Sequence, residues 1–533
     1  MEEIKKEINL DSILESLGPY GRYNLLNFVL LLFPILLSSF FECGFIFEAQ
    51  ELAYRCDVNG CEQRFNDTSW LKYAIPTDHE RDRLESCKMY VPLTNSNSSD
   101  FQCLPTDFDA NKTMPCEKFV YEDEHSLVKE FNLGCQEWKR ALVGTIHNCG
   151  MFVAMLFTGA ISDRFGRKVA VGFAATTSFI FGFSRSFAPN YLTYVSLHFL
   201  EAAFGGGLYP SAYVFVIELV GLKQRVIVSA MCNMTFVIGV VLIALLAWCI
   251  ESWRTYILIL YCPALIVTIY IWFMNESARW LLSKGKREQA ISVLKKASKI
   301  NNLDPRKLEL ECLGDPLLKV ESQTVDKKSQ LSKAIRSSII WKRLLICSFL
   351  WMTCSLVYYG LSINSVSLSS NRYVSFMLVT LVEIPAYIVV VIVLDKYGRK
   401  QTLVATYLTC ALMSLLFAFL PRSDYWSIPL YLVGKWSVTL AYSSVYIYVS
   451  EVFPTNMRQT LISMCSMAGR IGSLIAPMTP LLSLYHKSMP TVIFAAMCLV
   501  SSVLVLMLPE TRNMRLPDTI EEAEALSKRR TKN

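Results

Sequence analysis

Charge and histidine are both scarce in this chain of 533 residues: Asp, Glu, Lys and Arg together supply 18% of it, and only five residues are histidine. No His-Glu-x-x-His helix occurs, so a metallohydrolase is excluded, and the scattered histidines do not complete the nucleophile-and-base set of a membrane hydrolase. The Thr-Val-Gly-Tyr-Gly filter of a potassium-type channel is missing as well. What is there instead is apolar. Hydrophobic residues make up 53% of the chain and the mean hydropathy is positive, a composition whose solvent is lipid rather than water.

Runs such as Leu25 to Phe47, Val226 to Cys249, Tyr256 to Met274 and Val374 to Leu394 carry few charges, and each reaches the roughly 20 residues a helix needs to cross hydrocarbon. They lack the short alternation of a barrel strand. Twelve spans are expected, near 23–47, 141–161, 169–187, 191–217, 226–249, 254–274, 341–361, 372–394, 402–420, 427–449, 459–484 and 489–508. The first ends in Phe40, Phe41, Glu42 and Cys43 rather than at a small-residue cleavage site, so it reads as a helix and not a removed leader.

Lys and Arg in the short loops set the orientation. Arg164, Arg167 and Lys168 follow span two, Lys223 and Arg225 span four, Lys396, Arg399 and Lys400 span eight, and Arg458 span ten. All fall on one side if the N-terminus is cytoplasmic, together with a basic connection between the sixth and seventh spans and a basic tail. The formal charge of +7 thus reflects topology, and nucleic acid is not expected as a partner. The opposite side holds one large polar loop, 48–139, with six cysteines (Cys56, Cys61, Cys87, Cys103, Cys116, Cys135) and glycosylation sequons at Asn66, Asn97 and Asn111. An even cysteine set beside sequons predicts a disulfide-bonded, glycosylated ectodomain of open connectivity. No histidine pair stands at ligand spacing, so neither metal nor cofactor is expected. The sequons at Asn233 and Asn275 fall in or below the membrane and read as chance matches.

The spans form two halves. Asp163-Arg164-Phe165-Gly166-Arg167-Lys168 recurs 232 residues later as Asp395-Lys396-Tyr397-Gly398-Arg399-Lys400; Glu218 and Arg225 recur at an offset of 233 as Glu451 and Arg458; Glu276 recurs at an offset of 234 as Glu510. Parallel six-helix repeats follow: a cytoplasmic N-terminus 1–22, a first half 23–274, a cytoplasmic linker 275–340, a second half 341–508 and a cytoplasmic tail 509–533. Gly166 and Gly398 suit tight turns, and Asp163, Arg167, Glu218 and Arg225, with Asp395, Arg399, Glu451 and Arg458, suit latches that hold one face shut in one state and part in the other.

At these motifs the sequence resembles the major facilitator superfamily. Gly18-Pro19-Tyr20-Gly21-Arg22-Tyr23, Glu276-Ser277-Ala278-Arg279-Trp280-Leu281, Glu451-Val452-Phe453-Pro454-Thr455 and Leu508-Pro509-Glu510-Thr511-Arg512-Asn513, with the cysteine-rich loop, narrow the resemblance to its organic cation, anion and carnitine transporters. The resemblance implies an all-α membrane protein of twelve helices, multi-pass in the plasma membrane, that moves small organic ions by alternating access and is not an enzyme. Sodium or counter-ion coupling stays open. Many members of the superfamily place an arginine in helix four where His198 stands, followed here by Glu201; His198 reads either as an ionisable switch or as a hydrogen-bonded packing residue, and proton coupling has no support in the sequence.

Ionisable residues inside spans mark the cavity. Arg470 lies in a run of small residues, and Glu383 precedes Pro385, which can open its helix. In the resembling family an acid at the Arg470 position goes with organic cations and an arginine with anion and carnitine carriers. The stretch around Glu383, with Tyr387 where anion carriers tend to place lysine, looks like cation and carnitine carriers. One fixed charge of each sign suits a carnitine-like zwitterion; mutual neutralisation of Arg470 and Glu383 is the alternative. Trp351, Tyr358, Tyr359, Tyr442 and Tyr446 are candidates for an aromatic cage around an ammonium group. An organic anion carrier or exchanger, and a sensor that binds without transporting, are the competing functions.

Overall fold

A computed structural model describes residues 21–512 except 51, 59–60, 63–68, 79–82, 94–102, 122–124, 222–223, 303–336, 369–370, 421–423 and 455–456, together with 517 and 522–524. Long helical segments follow in the expected order: α1 (Arg22–Glu48), α2 (Glu137–Phe165), α3 (Arg167–Arg185), α4 (Tyr191–Glu218), α5 (Arg225–Cys249), α6 (Trp253–Phe273), α7 (Ser338–Ser367), α8 (Arg372–Tyr397), α9 (Arg399–Phe419), α10 (Asp424–Val452), α11 (Arg458–Ile475) and α12 (Met489–Leu506). Ten are long and apolar enough to cross a membrane. The other two, α3 and α10, stand in the third and tenth places; α3 is bounded by Arg167, Lys168 and Arg185, and α10 is rich in Tyr and Ser and carries Lys435.

Breaks within spans have local causes. Helix α8 is interrupted at Val382 between Arg372–Leu381 and Glu383–Tyr397, because Pro385 has no N–H for the carbonyl of Leu381 and its ring crowds that carbonyl. Glu383 thereby becomes the first residue of a helix, where the macrodipole favours a carboxylate. Each half encloses its own hydrophobic core, one built around residues such as Ile35, Val171, Phe215 and Tyr261, the other around Leu350, Tyr407, Val445 and Phe494. Apolar side chains such as Ile388 and Ile392 on α8 and Leu412, Leu416 and Phe419 on α9 face outward, as lipid-facing helix stripes do.

The repeat is reproduced in atomic detail. Gly166 (φ +110°) and Gly398 (φ +92°) both adopt backbone that a side chain resists, and a Cβ on either would press on Oε2 of Glu276 or Glu510 respectively. Glu276 accepts the backbone N–H groups of Arg167 (3.1 Å) and Lys168 (3.2 Å) at the start of α3, and Glu510 those of Arg399 (3.0 Å) and Lys400 (3.1 Å) at the start of α9. The two carboxylates satisfy orphan donors at equivalent helix N-termini. Burial pushes the Glu276 carboxyl above its ordinary range despite these bonds.

The loop between α1 and α2 contains three two-stranded antiparallel ladders and the disulfides Cys56–Cys116, Cys61–Cys103 and Cys87–Cys135, so all six predicted cysteines are paired. They staple a small core around Trp70, Ile75 and Phe108. Glu130 docks the loop on α6, accepting from Trp253 Nε1 (2.8 Å) and pairing with Arg254. Asn111 is exposed on the strand Phe108–Pro115; Asn66 and Asn97 lie outside the described residues. Asn233 accepts from Tyr209 (2.9 Å) and Asn275 donates to Tyr23 (3.2 Å), so both out-of-place sequons are engaged in packing.

Candidate functional site

The halves meet at the ends nearest the disulfide-bonded loop. Phe47 of α1 packs edge-on against Phe376 of α8 (centroids 5.0 Å apart) and stacks on Tyr373 (5.6 Å), and Trp248 of α5 also stacks on Tyr373 (6.0 Å). Thr145 of α2 donates to the carbonyl of Leu474 in α11 (3.4 Å). A Cβ on Gly144 would lie 2.6 Å from Phe45 and 2.8 Å from Pro477, so this approach requires glycine. The loop side is closed by this plug.

Beneath it lies a small cavity lined by Glu42, Phe45, Asn148, Phe236, Tyr358, Tyr359, Phe376 and Glu383, among others. Helices of both halves contribute. Tyr358 packs on Tyr359 (5.2 Å, edge-on) and on Tyr442 (5.7 Å), and Trp351 on Tyr446 (5.6 Å). Tyr442 and Tyr446, one turn apart on α10, lie near Tyr209 and Tyr213 of α4 respectively. Tyr446 is 56% exposed, so the aromatic column runs from the cavity toward the motif-bearing side. Of the predicted cage residues Tyr358 and Tyr359 line the cavity, while Tyr442, Trp351 and Tyr446 continue the aromatic column outside that lining.

The two predicted charges part company. Glu383 lines the cavity, but its Oε1 is 2.9 Å from Lys435 Nζ of α10, and Tyr358 donates to its Oε2 at 2.7 Å. Arg470 does not neutralise it; Lys435, fully buried, does. That ammonium also donates to Ser362 Oγ (2.7 Å) and the Tyr358 carbonyl (3.2 Å), and it sits 3.3 Å from the Tyr358 ring centroid. Arg470 is half-buried with its guanidinium 4.0 Å from the Met155 sulfur, and it interacts electrostatically with Tyr359, Glu42 and Tyr442. Glu42 accepts from the Tyr359 hydroxyl at 2.9 Å. Among the described residues neither Glu42 nor Arg470 forms an ion pair. Glu42 and Lys435 are the functional candidates that sequence reasoning missed, although a charge within a span was signal enough for both.

The latch residues work within each half. Arg167 donates to Glu218 (3.0 Å) and Asp163 (2.6 Å), and Arg399 to Glu451 (3.1 Å), with Asp395 at 3.7 Å. Ser277 and Thr511 close the two networks on Glu218 and Glu451. Arg225 and Arg458 stand at the first turns of α5 and α11. With the loop side closed, these ion pairs tie helices of the same half rather than one half to the other.

Two helical halves, each with its own core and its own latch, joined at one end around a shared charged and aromatic cavity, define a multi-pass membrane transporter rather than an enzyme. The chain belongs to the Major Facilitator Superfamily, whose family model matches residues 136–477 and 374–531, and within it to solute carrier family 22. It is 30% identical to the organic cation transporter protein of Drosophila melanogaster, over 97% of this chain and 95% of that one. It is also 30% identical to solute carrier family 22 member 1 of Bos taurus (98% and 94%) and 28% identical to member 6-A of Xenopus laevis (96% and 93%). The fold matches the partially occluded inward open conformation of the xylose transporter XylE from E. coli with a TM-score of 0.58 at 15% identity, over 93% of this chain and 100% of that one.

Proposed function

We propose that this protein carries small organic cations or carnitine-like zwitterions across the plasma membrane by alternating access, with both termini cytoplasmic and the disulfide-bonded loop outside. Basic residues concentrated on the motif side support that orientation. The observation that carries the substrate reading is Glu42, a carboxylate on the cavity wall with Tyr358 and Tyr359 that forms no ion pair at contact distance among the described residues, Arg470 acting on it only from beyond Tyr359. A carboxylate flanked by aromatic faces is a site for an ammonium group, and the Lys435 ammonium already rests on the other part of the same wall, against Tyr358 and Glu383. Arg470, linked to Glu42 through Tyr359, is placed to take the carboxylate of a zwitterion. The fly relative's name, organic cation transporter protein, agrees with organic ion transport. The latches keep each half rigid while the halves rock, and the Phe47–Tyr373–Trp248 plug parts when the loop side opens.

Arg470 also favours a second reading, an organic anion carrier or exchanger, because it too lacks an ion-pair partner among the described residues. Uptake of labelled carnitine, a tetraalkylammonium and an aromatic carboxylate by cells expressing the protein, with and without sodium, separates the two. Preference for the first two compounds, and loss of their uptake in Glu42→Gln, is the expected result. Preference for the carboxylate, with Glu42→Gln indistinguishable from wild type, would overturn the cation and zwitterion reading.

A further inference from the structure

A second group of ionisable residues lies next to the cavity but outside it. His147 of α2 and His198 and Glu201 of α4 are each 1% exposed or less, and one ligand atom from each falls within 4.8 Å of the others. Glu201 Oε2 is 3.6 Å from His198 Nδ1 and 4.0 Å from His147 Nδ1. That oxygen, both ring nitrogens of His147 and Nε2 of His198 have no hydrogen-bond partner. Buried polar atoms without partners cost free energy, and here four belong to three side chains in one cluster.

The surrounding charges answer Glu201 only in part, since Arg185 acts on it electrostatically without touching it. Arg185 of α3 is fully buried, but Glu48 of α1 pairs with it at 2.8 Å and takes the Tyr194 hydroxyl at 2.5 Å, so the guanidinium is already balanced. Its other nitrogen contacts His198 Nδ1, which makes that atom an acceptor and puts the imidazole proton on Nε2. From α6, Tyr261 bonds Glu201 and the Tyr256 hydroxyl lies near Glu48; from α11, Arg470 acts on His147 only at longer range. A carboxylate left charged here would lack a contact cation, and the imidazoles are too distant to form a tight ion pair. A dicationic metal is disfavoured by the guanidinium that already occupies His198 Nδ1. One proton makes the group neutral, and the open atom for it is Glu201 Oε2.

The Phe45 ring covers this group. It packs over His147 (5.3 Å) and His198 (6.4 Å), lines the cavity, and belongs to the Gly144–Pro477 contact that closes the loop side. We propose that His147, His198 and Glu201 form a proton-binding site, sealed by Phe45, that holds one proton while the loop side is closed and releases it to the loop side when that side opens, making the protein a sensor of pH on that face. Opening removes Pro477 from behind Phe45 and lets water reach Glu201. Closure therefore takes up a proton, and acid on the loop side favours the closed state, by up to about tenfold per pH unit over the range in which the site titrates. In the opposite state the site is dry, so pH on the motif side has no access to it.

This inference rests on the alternating-access reading, and two measurements test it separately. In oriented proteoliposomes, uptake of whichever panel compound is transported is expected to change severalfold with loop-side pH, to ignore motif-side pH, and to lose the loop-side response in Glu201→Gln. Equal responses from both sides, no response, an unchanged profile in Glu201→Gln, or inhibition by a chelator at fixed pH would each overturn it. The second readout needs no transport: the infrared carbonyl band of a buried carboxylic acid is expected in purified wild-type protein and absent from Glu201→Gln. Absence of that difference band refutes the proton site even if transport is intact. If Glu201→Gln yields no folded protein, the sidedness of the wild-type pH response decides alone. Failure of all panel compounds to be taken up, with the band present, strikes the transport reading and not the proton site.

Discussion

Replacing Lys435 by methionine leaves Glu383 in the cavity wall with one hydrogen bond, from Tyr358, and a helix N-terminus as its only compensation. Removing one partner of a buried ion pair costs about 3–5 kcal/mol, and loss of the ammonium from the Tyr358 face adds about 1–2 kcal/mol. Glu383→Gln should cost less. The three ammonium donors of Lys435 go to Glu383, Ser362 and the Tyr358 carbonyl, so two of three survive, the glutamine can accept the third, and the expected loss is roughly 1–3 kcal/mol. The double variant Lys435→Met with Glu383→Gln removes both charges together and should recover much of the single-variant loss, giving a coupling of about 2 kcal/mol or more in a double-mutant cycle. Thermal or denaturant unfolding of the purified protein in detergent supplies the four numbers. Lys435→Met should also shift uptake toward ammonium compounds, since a substrate cation can then occupy the vacated place between Glu383 and Tyr358. Coupling below about 0.5 kcal/mol, the range expected of independent sites, would refute the pairing as an energetic unit.

Gly144→Ala should disfavour the loop-side closed state, because its Cβ meets Phe45 and Pro477 below 3 Å; the check is faster modification of Cys43, a cavity-lining free thiol, by an impermeant maleimide from the loop side, read by peptide mass spectrometry. Glu276→Gln and Glu510→Gln each remove a charged helix cap, an effect of about 0.5–2 kcal/mol, and the repeat predicts comparable losses in thermal stability for the two variants. Glu130 is held below its ordinary range chiefly by its hydrogen bond from Arg254, opposed by partial burial. A lowered carboxyl adds stability that is present above its unfolded value and is lost as pH falls through the lowered one. Hydrogen exchange in 127–133 should therefore accelerate only in that acid window, and Glu130→Gln should abolish the pH dependence.

The architecture was legible because membrane helices announce themselves by length, and because the repeat carries the same residues at nearly one offset. Asp163 to Lys168 and Asp395 to Lys400 could be aligned by eye, and the cysteines could be assigned to one oxidised loop without their pairing. The cavity was only half legible. Tyr442 and Tyr446 share a helix face by spacing alone, and Glu383 stands out as a charge before a proline. Its partner could not be inferred, since Lys435 comes from a helix 52 residues further along the chain and periodicity relates only residues on one helix. His198 and Glu201 illustrate the same limit. Their spacing puts them side by side, yet Glu48, His147 and Arg185, which decide what that pair can do, arrive from three other helices.

Sorting the buried and half-buried charges by whether they are answered separates scaffold from ligand chemistry. Glu48 with Arg185, Glu383 with Lys435, Arg167 with Glu218 and Arg399 with Glu451 are matched pairs bridging helices of one half, and matched buried charges fix geometry more than they add stability. Glu42, Arg470 and Glu201 have no such match among the described residues. An unmatched charge in a medium that penalises it persists where something outside the chain completes it. Glu42 faces the cavity and Arg470 stands beyond Tyr359 from it, where a substrate brings the opposite charges. Glu201 is shut behind Phe45, where only a proton fits. Glu42 lines the cavity together with Phe45, Glu201 belongs to the group that the same ring covers, and the ring is part of the loop-side plug, so substrate occupancy, protonation and closure act on the same few side chains.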